Sequence, residues 1–274
     1  MSFTLPGPLL LAGAGKMGGT ILSGLLARGL KPEHILVQDP SPSAQTAARL
    51  AKHGIQCVPS IDALPEPPSI ILLAVKPQVM DEAFAPLAKL VGPETLVLTI
   101  AAGRSLQSIE AHLPERMPVV RAMPNTPAAI GRGITVAVPN PHVSPEQRKL
   151  VRELLSSLGQ VLWVEDEALL DPVTAVSGSG PAYVFLLVEC LAEAGQAAGL
   201  DAELAEELAR ATLTGSAALL EQTDEHVSKL REHVTSPGGT TAAALSILDG
   251  PEGLRPLLKA AVAEATKRGR ELAK

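Results

Sequence analysis

The sequence predicts an α/β fold in its first part, with a mostly parallel, doubly wound sheet, followed by an all-α second part. Three observations carry this. Short, continuously apolar runs alternate with amphipathic ones as far as Val164, and unbroken apolarity is what a parallel strand covered on both faces requires. A glycine-rich turn joins the first apolar run to the first amphipathic one, as when a strand feeds a helix. Beyond Val164 strand-like runs stop, and long Ala-, Leu- and Glu-rich stretches take over. The boundary is placed there, giving residues 1–164 and 165–274.

Leu9–Ala12 reads as the first strand, and Met17–Arg28 as the first helix, with Ile21, Leu22, Leu25 and Leu26 on one face. Ile35–Gln38 is the second strand, Ala44–His53 the second helix, closed by Gly54, and Ile55–Val58 the third strand. Further strands are expected at Ile70–Val75, Leu96–Ile100, Val119–Ala122, Ile134–Val138 and Val161–Val164. Ser144-Pro145-Glu146-Gln147 has the residues of a capping box and opens a helix to about Leu158. In the second part, helices are expected over 182–198, over 202–222 with Asp201 as N-cap, over 241–248, and from Gly253 onward. Tyr183 to Leu191 is apolar nearly all round, so it is either the central helix of this part or buried in a dimer interface.

Composition narrows the function. The 274 residues are 46% hydrophobic and 19% charged, so the chain folds as a globular protein. Lys plus Arg number 23 against 29 Asp plus Glu, which leaves no basic field for a phosphate backbone, and nucleic acid is not an expected partner. Cys57 and Cys190 form no metal-ligand spacing, and the six histidines form no ligand cluster, so no metal is expected. A reduced, cytoplasmic setting is the simplest reading of the two cysteines. Lys16, the first positive charge, follows the apolar run Leu9–Ala12 instead of preceding it, unlike a secretory signal. No uninterrupted apolar stretch approaches the ~18 to 20 residues of a membrane span, so no membrane partner is expected.

The strongest chemical signal is Gly13-Ala14-Gly15-Lys16-Met17-Gly18, a G-x-G-x-x-G between an expected strand and helix. The first glycine permits the tight turn, the second lets backbone approach a pyrophosphate, and the third lets helix pack on strand. A nucleoside-triphosphate loop is excluded because Met17, not Ser or Thr, follows Lys16. Asp39 ends the second strand where an acid accepts from the ribose hydroxyls of NAD, or it merely starts the Asp39-Pro40-Ser41-Pro42 turn. It opposes a 2′-phosphate, whereas Ser41 and Ser43 donate to one and no Arg follows closely, so NAD(H) and NADP(H) both stay open. Ala74-Val75-Lys76-Pro77 ends another strand at the ligand-binding edge, with Lys76 either a site cation or a solvated lysine. Met123-Pro124-Asn125-Thr126-Pro127 ends a further one, with Asn125 either aimed at a ligand or forming a turn. In the second part, Thr235-Ser236-Pro237-Gly238-Gly239-Thr240-Thr241 opens a helix with free N–H groups suited to a small carboxylate, or is capped by Thr240 or Thr241. Few acid and base groups accompany these motifs, which suits a reaction whose hard step belongs to a cofactor.

Taken together, these segments resemble the pyrroline-5-carboxylate reductase family. The glycine turn, Ala74-Val75-Lys76-Pro77, Ala101-Ala102-Gly103, Met123 to Pro127, Ser177-Gly178-Ser179-Gly180-Pro181-Ala182-Tyr183 and Thr235 to Thr241 come in family order across almost the whole chain. The resemblance implies an N-terminal Rossmann domain over 1–164 and a helical dimerisation and substrate-binding domain over 165–274, with dimers often assembled into a decamer and each active site needing two chains. It implies NAD(P)H-dependent reduction of 1-pyrroline-5-carboxylate to L-proline. Gly13 to Gly18 would bind pyrophosphate, Ala74 to Pro77 and Ile100, Ala101 and Ala102 would line the cofactor cleft, and Asn125 would lie near the nicotinamide. Ser236, Gly238, Gly239, Thr240 and Thr241 would bind the substrate carboxylate, with the Thr241 hydroxyl toward the ring nitrogen as the catalytic group. Ile61 departs from the family pattern, where many relatives carry Asn near the adenine ribose. The competing readings are another Rossmann-plus-helical reductase, such as a β-hydroxyacid dehydrogenase, and a non-catalytic dinucleotide sensor.

Overall fold

Residues 3–272 are described by a computed structural model. They form two compact units, one running to Gly178 and taking back the C-terminal stretch from Thr266, the other Ser179–Ala265. The division falls at 178, not where the strand pattern is lost at 164. The reason is that 165–178, although helical, is bonded to the sheet unit: Glu167 accepts from Arg121 and from the Leu106 N–H, and Asn125 donates to the Ser177 carbonyl.

In the first unit the chain runs β1 (Leu9–Ala12), α1 (Lys16–Ala27), β2 (Ile35–Gln38), α2 (Ala44–Lys52), β3 (Cys57–Val58), β4 (Ile70–Leu73), α3 (Met80–Leu87), β5 (Leu96–Thr99) and α4 (Leu106–Glu110). It continues through β6 (Val119–Met123), β7 (Gly133–Pro139), α5 (Pro145–Leu155), β8 (Gly159–Trp163) and α6 (Leu170–Val173), which passes into a π-turn at Thr174–Gly178. The eight strands lie in the order β3-β2-β1-β4-β5-β6-β7-β8. Pairing is parallel from β3 to β6; β7 then runs antiparallel to β6, and β8 parallel to β7. The sheet is therefore mostly parallel, as the continuous apolar runs require.

Alternation along each strand splits these apolar residues between two cores. Leu9, Leu11, Val37, Leu72 and Leu98 face the layer of α1, α2 and α5, while Leu10, Ile71, Leu73 and Val97 face Met80, Phe84 and Leu87 of α3. Helix starts follow local chemistry. The Ser43 hydroxyl caps α2 by accepting from the Thr46 N–H at 3.1 Å. At α5 the Ser144–Gln147 box closes in both directions. Helix α5 ends at Leu155, short of the expected Leu158, and the third strand, expected over Ile55–Val58, is Cys57–Val58. Helix α3 carries Pro86 in its last turn, a residue that argues against a helix when sequence is read alone.

The second unit contains α7 (Gly180–Ala197), α8 (Ala202–Glu221), α9 (Val227–His233), α10 (Thr240–Leu248) and most of α11 (Leu254–Leu272). Asp201 caps α8 through the Leu204 N–H at 2.9 Å. Helices α7 and α8 pack on one another with Ala192, Ala205 and Ala209 buried. Phe185 is nevertheless 62% exposed and Leu186 57%, with Val184, Leu187 and Leu191 also exposed. Of the two readings of this helix, burial within its own unit is thereby excluded. The helical run Glu167–Ala197 is long and apolar enough to cross a membrane by length and composition, although its apolar residues are not continuous. Pro172, the π-turn and Pro181 interrupt it.

Candidate active site

The strand order reverses between β1 and β4: the chain moves outward to β2 and β3 on one side, then to β4, β5 and β6 on the other. In an open α/β sheet such a switch point, at the carboxyl ends of the strands, is where ligands bind. The segment after β1 is Gly13 to Gly15, with Lys16, Met17 and Gly18 opening α1; Asp39 follows β2, Ala74 to Pro77 follow β4, Ile100 to Ala102 follow β5, and Asn125 follows β6. Five of the sequence-derived segments thus stand side by side on one edge.

The glycine turn has three different physical requirements. Gly13 sits at φ +89, and a Cβ there would lie 2.8 Å from the Ala74 carbonyl oxygen. A Cβ on Gly18 would lie 2.1 Å from the Gly13 carbonyl oxygen. Gly15 differs: no atom comes within 4 Å of an added Cβ, and it caps α1 without any side-chain bond to the first-turn N–H groups. An open, uncapped helix N-terminus fits a pyrophosphate, so the cradle suits a dinucleotide.

Asp39 is fixed at the rim of this cradle. Its Oδ2 accepts from the Ala14 N–H and its Oδ1 from the Ser41 N–H, each at 2.9 Å. The carboxylate therefore both closes the turn that the sequence suggested and faces the glycine loop. Burial, and then the Asp39 carboxylate, push the neighbouring Cys57 thiol up from its ordinary value. Ser43 is spent on the α2 cap, its own hydroxyl lying 3.0 Å from that of Thr46. A cleft of about 920 Å³ opens here, with Gly15, Lys16, Asp39, Ser41 and Arg49 in its wall, and it continues outward along α1 to Gly24 and Ser157. Arg49 went unnoticed in the sequence because it lies a helical stretch beyond Asp39. Its Nη1 donates to the Ser23 hydroxyl at 3.0 Å, and Nη2 occupies the space left by the missing side chain of Gly19. Ile61 is buried in the second core, its N–H held by Gln38 Oε1 at 2.9 Å.

Lys76 is exposed at the end of its segment, and Pro77 opens a 3₁₀ turn behind it. Ile100 and Ala101 are buried, whereas Ala102 is exposed. The Asn125 amide works in both directions, Nδ2 donating to the Ser177 carbonyl at 3.1 Å and Oδ1 accepting from the Ile134 N–H at 2.9 Å.

In the second unit, Gly238 takes φ +70 and Gly239 is the N-cap of α10, with no side-chain bond. Thr240 and Thr241 lie inside the helix, so neither caps it, and the first-turn N–H groups remain available to an anion. Ser236 and Thr240 are exposed, and Thr241 is half-buried. Among the described residues, no three His, Cys, Asp or Glu side chains gather as metal ligands.

Residues 167–272 match the family model for pyrroline-5-carboxylate reductase dimerisation, and residues 9–103 that for coenzyme F420-dependent NADP oxidoreductases. The chain is 40% identical to the pyrroline-5-carboxylate reductase of Pseudomonas aeruginosa, over 95% of each chain. It is likewise 40% identical to that of Synechocystis, over 96% of this chain and 97% of the relative. The solved pyrroline-5-carboxylate reductase of Coxiella burnetii superposes with a TM-score of 0.90 at 34% identity, covering 98% of this chain and all (100%) of that one. The Plasmodium falciparum enzyme, solved with NADP bound, gives a TM-score of 0.83 at 28% identity, covering 98% and 99%. The likeness spans the glycine cradle, the switch-point edge and the helical unit alike, and this chain belongs to the pyrroline-5-carboxylate reductase family.

Proposed function

We infer that this chain catalyses the NAD(P)H-dependent reduction of 1-pyrroline-5-carboxylate to L-proline, the last step of proline biosynthesis. The observation that carries the reading is the full-length likeness to reductases of this name, joined to a cradle that fits a dinucleotide. The cofactor, when bound, supplies a hydride from its reduced nicotinamide. The substrate is a cyclic imine with an electrophilic carbon, more so when its nitrogen is protonated, so the chain need supply no nucleophile. Its work is positioning and exclusion of water.

In this reading the N–H groups of Gly13 to Gly18 hold the pyrophosphate, Asp39 and Ser41 meet the adenosine ribose, and Ala74 to Pro77 with Ile100 to Ala102 line the nicotinamide side near Asn125. The N–H groups of the 236–241 loop hold the substrate carboxylate, supported by the uncapped start of α10. The Thr241 hydroxyl orients the ring nitrogen or relays a proton to it. We place the protein in the cytoplasm, in keeping with its two free thiols.

Following nicotinamide oxidation with the imine, a panel of β-hydroxyacids in reverse, and no substrate tests the reaction. Turnover is expected with the imine alone. Cofactor binding without any turnover would instead make the chain a dinucleotide sensor. Thr241→Val is expected to leave cofactor binding intact while lowering imine turnover about tenfold to a hundredfold, the size of one hydrogen bond to a charged group. Unchanged kcat and KM in a variant that melts like the parent would place the substrate elsewhere.

The chain self-associates in this reading, as its match to the dimerisation model and the exposed apolar residues of α7 support. Light scattering is expected to return at least a dimer, and we propose that dimers assemble further into a decamer. An active monomer at micromolar concentration would overturn both.

A further inference from the structure

One side chain of β6 and one from the turn just after it reach the same downstream segment. Arg121, only 6% exposed, donates from Nη1 to Glu167 Oε1 at 2.7 Å, and the same oxygen accepts the Leu106 N–H, at the start of α4, at 2.8 Å. Four residues along the chain, Asn125 holds the Ser177 carbonyl inside the π-turn. Between them, a Cβ on Gly178 would lie 2.8 Å from Met123 Cε, so the turn is pressed onto the end of β6. π-turns of this kind are rare and concentrate at functional sites. An ion pair with one buried partner adds little net stability, but here a single carboxylate oxygen takes both the Arg121 guanidinium and the Leu106 N–H, which fixes the position of Glu167 relative to β6 and α4. The pair joins β6 and the segment after β5, the edge where the reductase reading puts the nicotinamide, to the segment that packs against them.

We propose that Arg121 and Glu167 are positioning residues for the reduction: they lock the π-turn against Met123 and Asn125 and so hold the nicotinamide end of the cleft in its reactive shape. The proposal rests on the reductase reading above. Glu167→Ala should lower kcat with the imine about tenfold to a hundredfold, the cost of a small misplacement at a reacting centre. Affinity for ADP-ribose, which has no nicotinamide, should change less than about twofold, while the emission of bound NADH reverts toward that of free cofactor. Glu167→Gln, which keeps an acceptor for both donors, should restore kcat to within about threefold of the parent. If Glu167→Ala does not fold, Arg121→Lys carries the same test, since it keeps the charge and loses the planar guanidinium that reaches Glu167. A folded variant with parental kcat and parental NADH emission overturns the proposal, as does equal weakening of ADP-ribose and NADH. A parent enzyme inactive on the imine would overturn the reductase reading instead, and the emission and ADP-ribose measurements would still decide the brace.

Discussion

Gly13→Ala is expected to destabilise the fold by about 2–4 kcal/mol, and with it to abolish dinucleotide binding. Its backbone lies at φ +89, where an L side chain is strained, and the new Cβ would sit 2.8 Å from the Ala74 carbonyl oxygen and 3.0 Å from Val75 Cγ1. Two of the three nearest atoms are backbone of the adjoining strand end, so relief requires β1 and β4 to part at the switch point. Gly18→Ala should behave alike, because its Cβ would meet the Gly13 carbonyl oxygen at 2.1 Å. Gly15→Ala provides the control. Its φ is −63 and the space around it is empty, so thermal melting should match the parent. Any loss of NADH binding in that variant then reports the methyl group standing where the pyrophosphate lies. Thermal melts beside NADH titrations separate the two classes. A Gly15→Ala protein that binds NADH like the parent would show that the anion lies elsewhere.

These glycines also show what a linear reading reaches. That the glycine turn, Asp39, and the segments at 74–77, 100–102 and 125 share one edge was legible, because parallel strands place their carboxyl ends on one edge. The π-turn, the Arg121–Glu167 pair and the course of Arg49 across α1 were not. Each depends on which side chains meet over long sequence separations, and no local pattern marks that: Arg121 stands amid an apolar strand, and Glu167 lies in an acidic stretch that reads as solvated surface. The 235–241 loop lies between these cases. Its helix start was legible, but the cap falls on Gly239, and the left-handed backbone that demands glycine is at Gly238. The same limit hides the compact-unit division at Gly178, since helices packed on a sheet look no different in sequence from helices packed on one another.

The adenosine end carries the other large expected effect: NADH should be used at least as well as NADPH. Asp39 is not a mobile surface acid, because both carboxylate oxygens are held by backbone N–H groups at 2.9 Å, fixing the charge beside the glycine loop. Ribose hydroxyls can donate to its remaining lone pairs, while a 2′-phosphate would bring like charge against it. Two of the compensating groups are diverted, which leaves the Ser41 hydroxyl as the neutral donor in the cleft wall. Ser43 caps α2, and Arg49 donates to Ser23 across the face of α1. Asp39→Asn removes the charge and keeps one acceptor for the Ala14 N–H, so it should raise kcat/KM for NADPH relative to NADH by about tenfold or more, equivalent to roughly 1.4 kcal/mol. The cost should be modest, about 1 kcal/mol of stability, as the Ser41 N–H then faces an amide NH₂. Steady-state kinetics with both reduced cofactors, on the parent and on Asp39→Asn, read the ratio directly. A parent enzyme that prefers NADPH more than about tenfold would mean that Arg49 swings from Ser23 to the phosphate. In that case Arg49→Met should erase the preference, and Asp39→Asn should leave the ratio nearly unmoved.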